Sequence, residues 1–188
     1  MRINILLLAL LASGSVLAQI SYPDNFLHLL KNANVDFFEP TEGSYKDIRL
    51  SKADYQPCDF ALRSRREKLE MRYLVAPYSP YNWVFTAPHV EALRLASHLA
   101  TNEEESVITS FAVSETELTS HFNANWGRVY FFQPKPLFSD RKHCKMLALY
   151  AEGKGMVIVF FLFDEPSREL DNRHLALRFR DDELEAER

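Results

Sequence analysis

The sequence is poor in glycine and lacks the short motifs that mark common nucleotide and hydrolase sites. Only five glycines occur in 188 residues. No GxxxxGK[ST] loop, no GxGxxG turn after a strand and no GxSxG elbow is present. Loops that carry backbone amides up to a phosphate depend on glycine. The sequence therefore offers no phosphate-binding loop and no nucleophile elbow.

Metal-binding motifs are also missing. Neither HExxH nor CxxC occurs, and the histidines are scattered along the chain. His143 and Cys144 are adjacent, but neighbouring side chains of a strand point to opposite faces, so the two would not readily share an ion. We expect no dedicated metal site and no cofactor.

An excess of positive charge is absent as well. The chain has 22 basic and 26 acidic residues, a formal net charge of -4. Without the first 18 residues, which contain Arg2 and no acid, 21 basic and 26 acidic residues remain, a charge of -5. This balance, with no basic stripe interleaved with aromatic residues, argues against nucleic-acid binding.

The first 18 residues have the pattern of an export signal. Arg2 is followed by an apolar stretch over 5–12 and by the compact residues Val16-Leu17-Ala18, typical of a cleavage site before Gln19. An uncleaved anchor is the alternative, but the stretch is shorter than the ~20 residues of a bilayer span. Position 19 is not cysteine, so the lipoprotein pattern is missing. We predict a signal peptide over 1–18 and a single globular domain over 19–188, periplasmic or secreted and soluble.

Two cysteines, Cys58 and Cys144, are present. In an oxidising compartment this pair permits one disulfide, which would close a long loop and stabilise the fold. The alternative is two buried thiols. Neither has neighbours in the sequence that mark a reactive thiolate.

Periodicity divides the mature chain into helices and strands. Helices are predicted over 25–31, 86–100 and 114–125, the last begun by a capping box of Ser114 and Glu117 and ended near Gly127. Strands are predicted over 59–64, 69–76, 107–113, 128–133, 143–151 and 156–163. Residues 41–57 lack a clear period and indicate a long connection. Residues 175–179 fit either a short helix or an edge strand.

The strand MVIVFFLF, over 156–163, has no polar alternation. Both of its faces should be buried, which favours helices on both sides of the sheet. In 69–76, by contrast, Glu70 and Arg72 alternate with apolar residues, which indicates a partly wet face. The predicted fold class is α+β, with a mostly antiparallel sheet and helices on both faces, an α/β/α sandwich.

The loop PYSPYNW places Tyr78, Tyr81 and Trp83 in a proline-stiffened connection. Exposed aromatic residues in loops often anchor partners or ligands, so these three form the predicted partner- or ligand-binding site. The alternative is that they fold back and close the core under the next helix. His121, with Asn123 and Asn125, is expected to be only a polar face near a helix end.

The order of these elements resembles the PsbP-like family. The similarity rests on the paired strands DFALRS and LEMRYLVAP, the helix before FNANWGRVYFF, and the hairpin CKMLALYAEGKGMVIVFFLF. It spans Asp59–Phe163 and concerns layout, so no site residue is carried over. The family's α/β/α sandwich also occurs in the nuclear-transport factor that binds the Ran GTPase. The resemblance implies a non-enzymatic role in binding or assembling another protein.

The sequence thus supports two hypotheses. The first is an exported, non-enzymatic accessory protein that binds another exported or envelope protein or a small ligand. The alternative is an extracytoplasmic enzyme of the hydrolase type whose catalytic residues converge only in the fold.

Overall fold

The computed structural model describes residues 20–49, 55–82, 85, 87–167 and 169–181. The predicted signal peptide and Trp83 lie outside these ranges. The helices are α1 (Asp24–Asn32), α2 (Pro88–Leu99), α3 (Glu115–Glu117), which continues as a π-helical turn (Leu118–Phe122), and α4 (Glu169–Asn172), which continues as a 3-10 turn (Arg173–Ala176). The strands are β1 (Val35–Phe37), β2 (Tyr45–Asp47), β3 (Phe60–Ser64), β4 (Leu69–Pro77), β5 (Thr109–Ala112), β6 (Trp126–Phe132), β7 (His143–Ala151), β8 (Gly155–Phe163) and β9 (Leu177–Phe179).

Seven strands form one sheet in the order β2-β3-β4-β8-β7-β6-β5, and β1 pairs with β9 in a separate ribbon. Every pairing is antiparallel. The predicted hairpins are confirmed, since β3 pairs with β4 and β7 with β8 in register. The long strands β4, β7 and β8 lie side by side in the sheet, and all nine residues of β8 are buried.

The sheet separates two hydrophobic cores. The first face carries Met71, Tyr73 and Phe161 and is covered by α1 and by the β1–β9 ribbon, which contributes Phe179. The second face carries Met146 and Phe160 and is covered by α2 and by the segments around Phe85 and Phe138. These two faces are called the first and second face below.

The predicted fold class, an α/β/α sandwich with helices on both faces, is wrong. The chain is mostly sheet, and its four α-helices within the described ranges are short. Both faces of β8 are buried as predicted, but the cover includes a strand ribbon, loops and single helices rather than helical layers. Burial requires apolar cover and does not specify a helix, which is why the inference failed.

The polar side of β4 is partly wet, as predicted, because Arg72 and Leu74 are half-buried, but its carboxylate is not. Glu70 is buried, at 2% exposure. It accepts hydrogen bonds from the Arg63 guanidinium at 2.5 Å and from Arg72 Nε at 2.7 Å. Arg72 also donates to the carbonyl of Phe138 at 2.9 Å. The alternation of charged and apolar residues therefore marks an ion-pair cluster around a buried carboxylate, which the two arginines satisfy.

Two local predictions need correction, and one open alternative is decided. The connection predicted over 41–57 contains the edge strand β2. The helix predicted over 114–125 ends at Phe122, and Gly127 lies inside β6 rather than at a helix end. For residues 175–179, a short helix and an edge strand are each partly right, because the 3-10 turn ends at Ala176 and β9 follows directly.

In the part of the chain that the structure describes, no helix combines the length and the apolar character needed to cross a bilayer.

Candidate functional site

A cleft of about 450 Å³ opens on the first face, beside the edge strand β5. Its volume falls within the ~300–1,000 Å³ typical of small-molecule sites. The apolar part of its lining includes Phe111, Phe122, Val129, Leu147 and Leu175. The titratable part consists of Glu117, His121, Lys145, Asp171 and His174. The cleft therefore combines an apolar wall with a group of ionisable side chains.

One wall of the cleft depends on how the chain turns between α3 and β6. The Ser114 hydroxyl and the Glu117 backbone and side chain form the predicted capping box that starts the helical segment. Asn123 then adopts a left-handed conformation, with φ of 49°, and ends the π-helical turn. A Cβ at Gly127 would lie 2.8 Å from a methyl carbon of Leu118, so glycine allows this turn to pack directly against β6.

Lys145 places a positive charge inside the cleft. Its side chain is 5% exposed, and its Nζ donates a hydrogen bond to Asp171 Oδ1 at 2.9 Å. The Asp171 side chain is 86% exposed, so its carboxylate lies in solvent while the Lys145 side chain as a whole is buried. The hydrogen bond and charge of Lys145 lower the pKa of Asp171. An ammonium has three N–H donors, and Asp171 accepts one of them.

The cross-strand register explains the position of Lys145. On the sheet, Lys145 lies between Phe131 of β6 and Phe161 of β8. Its Nζ is 5.6 Å from the centroid of the Phe131 ring, a cation–π geometry. The long alkyl stem can be buried among these neighbours while the ammonium reaches the cleft.

His174 lies next to this ammonium. Its ring packs on Phe161, with the centroids 5.1 Å apart, and Phe161 is the cross-strand neighbour of Lys145. Burial, and then the positive charge of Lys145, lower the pKa of His174 to about 4, although Asp171 and Glu117 act in the opposite direction. The imidazole is therefore neutral at pH 7. Its Nε2 atom is buried and has no hydrogen-bond partner among the described residues.

The remaining ionisable residues lie nearer to solvent. Glu117 and His121 are both exposed. Hydrogen bonds from the Ser114 hydroxyl and backbone lower the pKa of Glu117, which is thus used as a helix cap. Asn123 donates to the carbonyl of Phe179 at 3.0 Å, and Asn125 accepts from the amide of Glu152 at 2.8 Å. The two asparagines therefore bond to β9 and to the β7–β8 turn and do not join His121 in the cleft.

This arrangement is suited to binding a polar group next to an apolar body. The deepest polar groups are two nitrogen atoms, Lys145 Nζ and His174 Nε2, and both can donate to an acceptor. Among the described residues, no group of three or more His, Cys, Asp or Glu side chains has the geometry to hold a metal ion.

The predicted aromatic site lies elsewhere. Tyr81 is 97% exposed, and Tyr78 is 44% exposed, with its ring 5.4 Å from that of Phe85. Phe85 belongs to the core of the second face, whereas the cleft is on the first. Trp83 lies outside the described residues. The role of this loop in binding stays a prediction, and the alternative of burial does not apply to Tyr81.

The two cysteines belong to one core but are not joined. Cys144 is fully buried on the second face, and Cys58 packs against the same group of residues. Burial raises the pKa of the Cys144 thiol well above its usual value. This environment disfavours a reactive thiolate at Cys144. The disulfide stays a prediction for the exported protein.

Sequence reasoning missed the main polar residues of the cleft. Lys145 carried a signal, because a lysine in the otherwise apolar stretch CKMLALYA must either lie at an edge or be buried with a partner. Asp171 and His174 carried no such signal. Both follow Pro166, where the sequence has no clear period. Glu117 was recognised only as a cap.

Comparisons with protein-family models, with curated proteins and with solved structures return no match to this chain. The similarity to the PsbP-like family therefore stays a prediction from layout.

Proposed function

We propose that this protein is an exported, non-enzymatic accessory protein that works by binding, and that it holds a small ligand in the cleft on the first face. The observation that carries the proposal is the position of Lys145: its side chain, 5% exposed, lies beside an apolar wall and lines a cavity of about 450 Å³. Pockets of this kind, largely apolar with a few converging polar groups, are the usual form of small-molecule sites. The export rests on the N-terminal pattern, and N-terminal sequencing of the mature protein, expected to begin at Gln19, tests it.

The enzymatic alternative is supported by the convergence of Lys145, Asp171 and His174. A hydrolase would need His174 or another base to contact a nucleophile or a water molecule. Among the described residues, His174 Nε2 contacts no hydroxyl or thiol donor, and Asp171 is used to pair with Lys145. Binding therefore accounts for the cleft more fully than catalysis does.

The experiment measures binding of three probes with the same apolar tail and different head groups: decanoate, decanol and decyltrimethylammonium. Isothermal titration calorimetry would give the Kd of each probe for the wild-type protein and for Phe111→Ala. The Phe111 ring lines the cleft and is 50% exposed. Phe38→Ala is the matched control, because Phe38 is 52% exposed and does not line the cleft.

At least one probe should bind the wild-type protein, and Phe111→Ala should weaken that probe by about tenfold, since part of a phenyl ring's apolar contact with the tail is lost. Phe38→Ala should leave the Kd within about twofold, because surface substitutions away from a site have small effects. The proposal fails if no probe binds, or if both variants weaken binding equally.

A further inference from the structure

The charged groups of the cleft are negative near solvent and positive farther inside. Its carboxylates, Asp171 and Glu117, are exposed. Its most buried charge belongs to Lys145, whose side chain is 5% exposed and lines the cleft. Charge interactions are stronger where water is excluded, so the buried cation should determine which head group is accepted at the inner end.

His174 provides a second nitrogen in the same cleft, and both residues neighbour Phe161. Its Nε2 is buried without a partner among the described residues, and a buried polar atom in this state costs free energy until it is satisfied. In the tautomer protonated at Nε2, the neutral ring donates a hydrogen bond. Lys145 and His174 can therefore offer two donors to one acceptor group.

We propose that the ligand of the cleft is an amphipathic carboxylate whose head group is held between Lys145 Nζ and His174 Nε2, with its apolar body along Phe111, Phe122 and Leu147. This inference rests on the proposed function and specifies the chemistry of the ligand. A carboxylate has two oxygen atoms, so one can face each nitrogen. A cationic head group would be repelled by Lys145, and a neutral one could accept a hydrogen bond from the ammonium but would form no ion pair with it.

The test compares decanoate with decanol on the wild-type protein and on Lys145→Met, which keeps the length and apolar character of the stem without the charge. Asp171 would be left largely in solvent, so its lost partner should cost little stability. Lys46→Met, at an exposed lysine of β2 remote from the cleft, is the matched control. Circular dichroism would check the fold of each variant.

Decanoate should bind the wild-type protein at least about tenfold more tightly than decanol does, and Lys145→Met should remove this preference. Lys46→Met should retain it. Equal binding of decanoate and decanol by the wild-type protein, or an unchanged preference in Lys145→Met, would overturn the carboxylate assignment while leaving ligand binding intact. If no decyl probe binds, the proposed function itself fails.

A second measurement needs no variant. The pKa of His174 is lowered to about 4, so at pH 7 the ring is neutral while decanoate is ionised. The ring resonances of His174 can then be followed by NMR at pH 7 with and without decanoate. A carboxylate that accepts from the Nε2 hydrogen makes a charge-assisted hydrogen bond, so decanoate should shift the Nε2 resonance more than decanol does. No change on adding decanoate at a saturating concentration would contradict the proposed contact.

Discussion

At the scale of single residues, the cleft depends on one lysine and one histidine that share a neighbour, Phe161. Lys145 lies beside Phe161 in the sheet, and His174 packs over the same ring. The ammonium and the burial together keep the imidazole neutral. The protonation of His174 is therefore linked to the stability of the whole fold.

His174 should make the folded protein less stable in acid. Histidine normally titrates near 6.5, whereas the pKa of His174 is about 4. Between these values the unfolded chain binds a proton that the folded chain does not, so the free energy of unfolding should fall as the pH drops from about 6.5 to about 4. The largest loss from this one group is about 3 kcal/mol.

Urea denaturation across this pH range, on the wild-type protein and on His174→Leu, would measure the effect. The variant should lose this part of the acid destabilisation, while His89→Leu, at an exposed residue of α2, should retain it. A parallel pH dependence of the wild-type protein and His174→Leu would show that His174 is not held neutral by the fold.

The site was harder to predict than the fold because its polar residues are separated along the sequence. Lys145 is detectable as a lysine in an apolar strand, but nothing local shows that Asp171, 26 residues later, supplies its partner. The loop at Tyr78 and Tyr81 was predicted as a binding site because several aromatic residues and prolines occur within a few positions. Clefts assembled from distant strands and turns give no such local signal.

At the scale of elements, the β7–β8 hairpin organises the sheet. Its turn contains Gly153, with φ of 73°, and is followed by Gly155, with φ of 132°. The two glycines differ in their surroundings. A Cβ at Gly153 would meet no atom within 4 Å, whereas at Gly155 it would lie 2.3 Å from the carbonyl oxygen of Ala76 on β4.

These glycines give a matched pair of substitutions. Gly153→Ala should lower the free energy of unfolding by about 1 kcal/mol, because only an unfavourable backbone conformation is imposed. Gly155→Ala should lower it by about 3 kcal/mol or more, because a backbone clash between β8 and β4 is added. Chemical denaturation checks both values, and equal losses would contradict the close approach of these strands.

Elements with strong patterns were predicted well. The apolar run of β8 identified a strand buried on both faces, and the turn at 152–155 identified its hairpin. The helices α1 and α2, which cover the two faces, were also predicted, but the strand ribbon was not. Val35–Phe37 and Leu177–Phe179 are distant in sequence, and only their pairing makes them a ribbon on the first face. A three-residue strand is too short for its periodicity to be read.

At the scale of the whole molecule, one sheet separates two surfaces with different features. The cleft with Lys145 is on the first face, and the exposed loop at Tyr81 follows β4 and borders the core of the second face. Ligand binding in the cleft would therefore leave the loop accessible. This separation fits an accessory protein that holds a ligand at one surface and presents another surface to a partner.

The most direct test of ligand binding in the cleft is to map where a bound probe lies. Amide chemical shifts would be recorded by 1H–15N NMR during titration with decanoate. The largest changes should cluster at Phe111, Lys145 and His174, with little change at Tyr78 and Tyr81. Changes centred on the aromatic loop, or no changes at all, would contradict the claim that the cleft is the binding site.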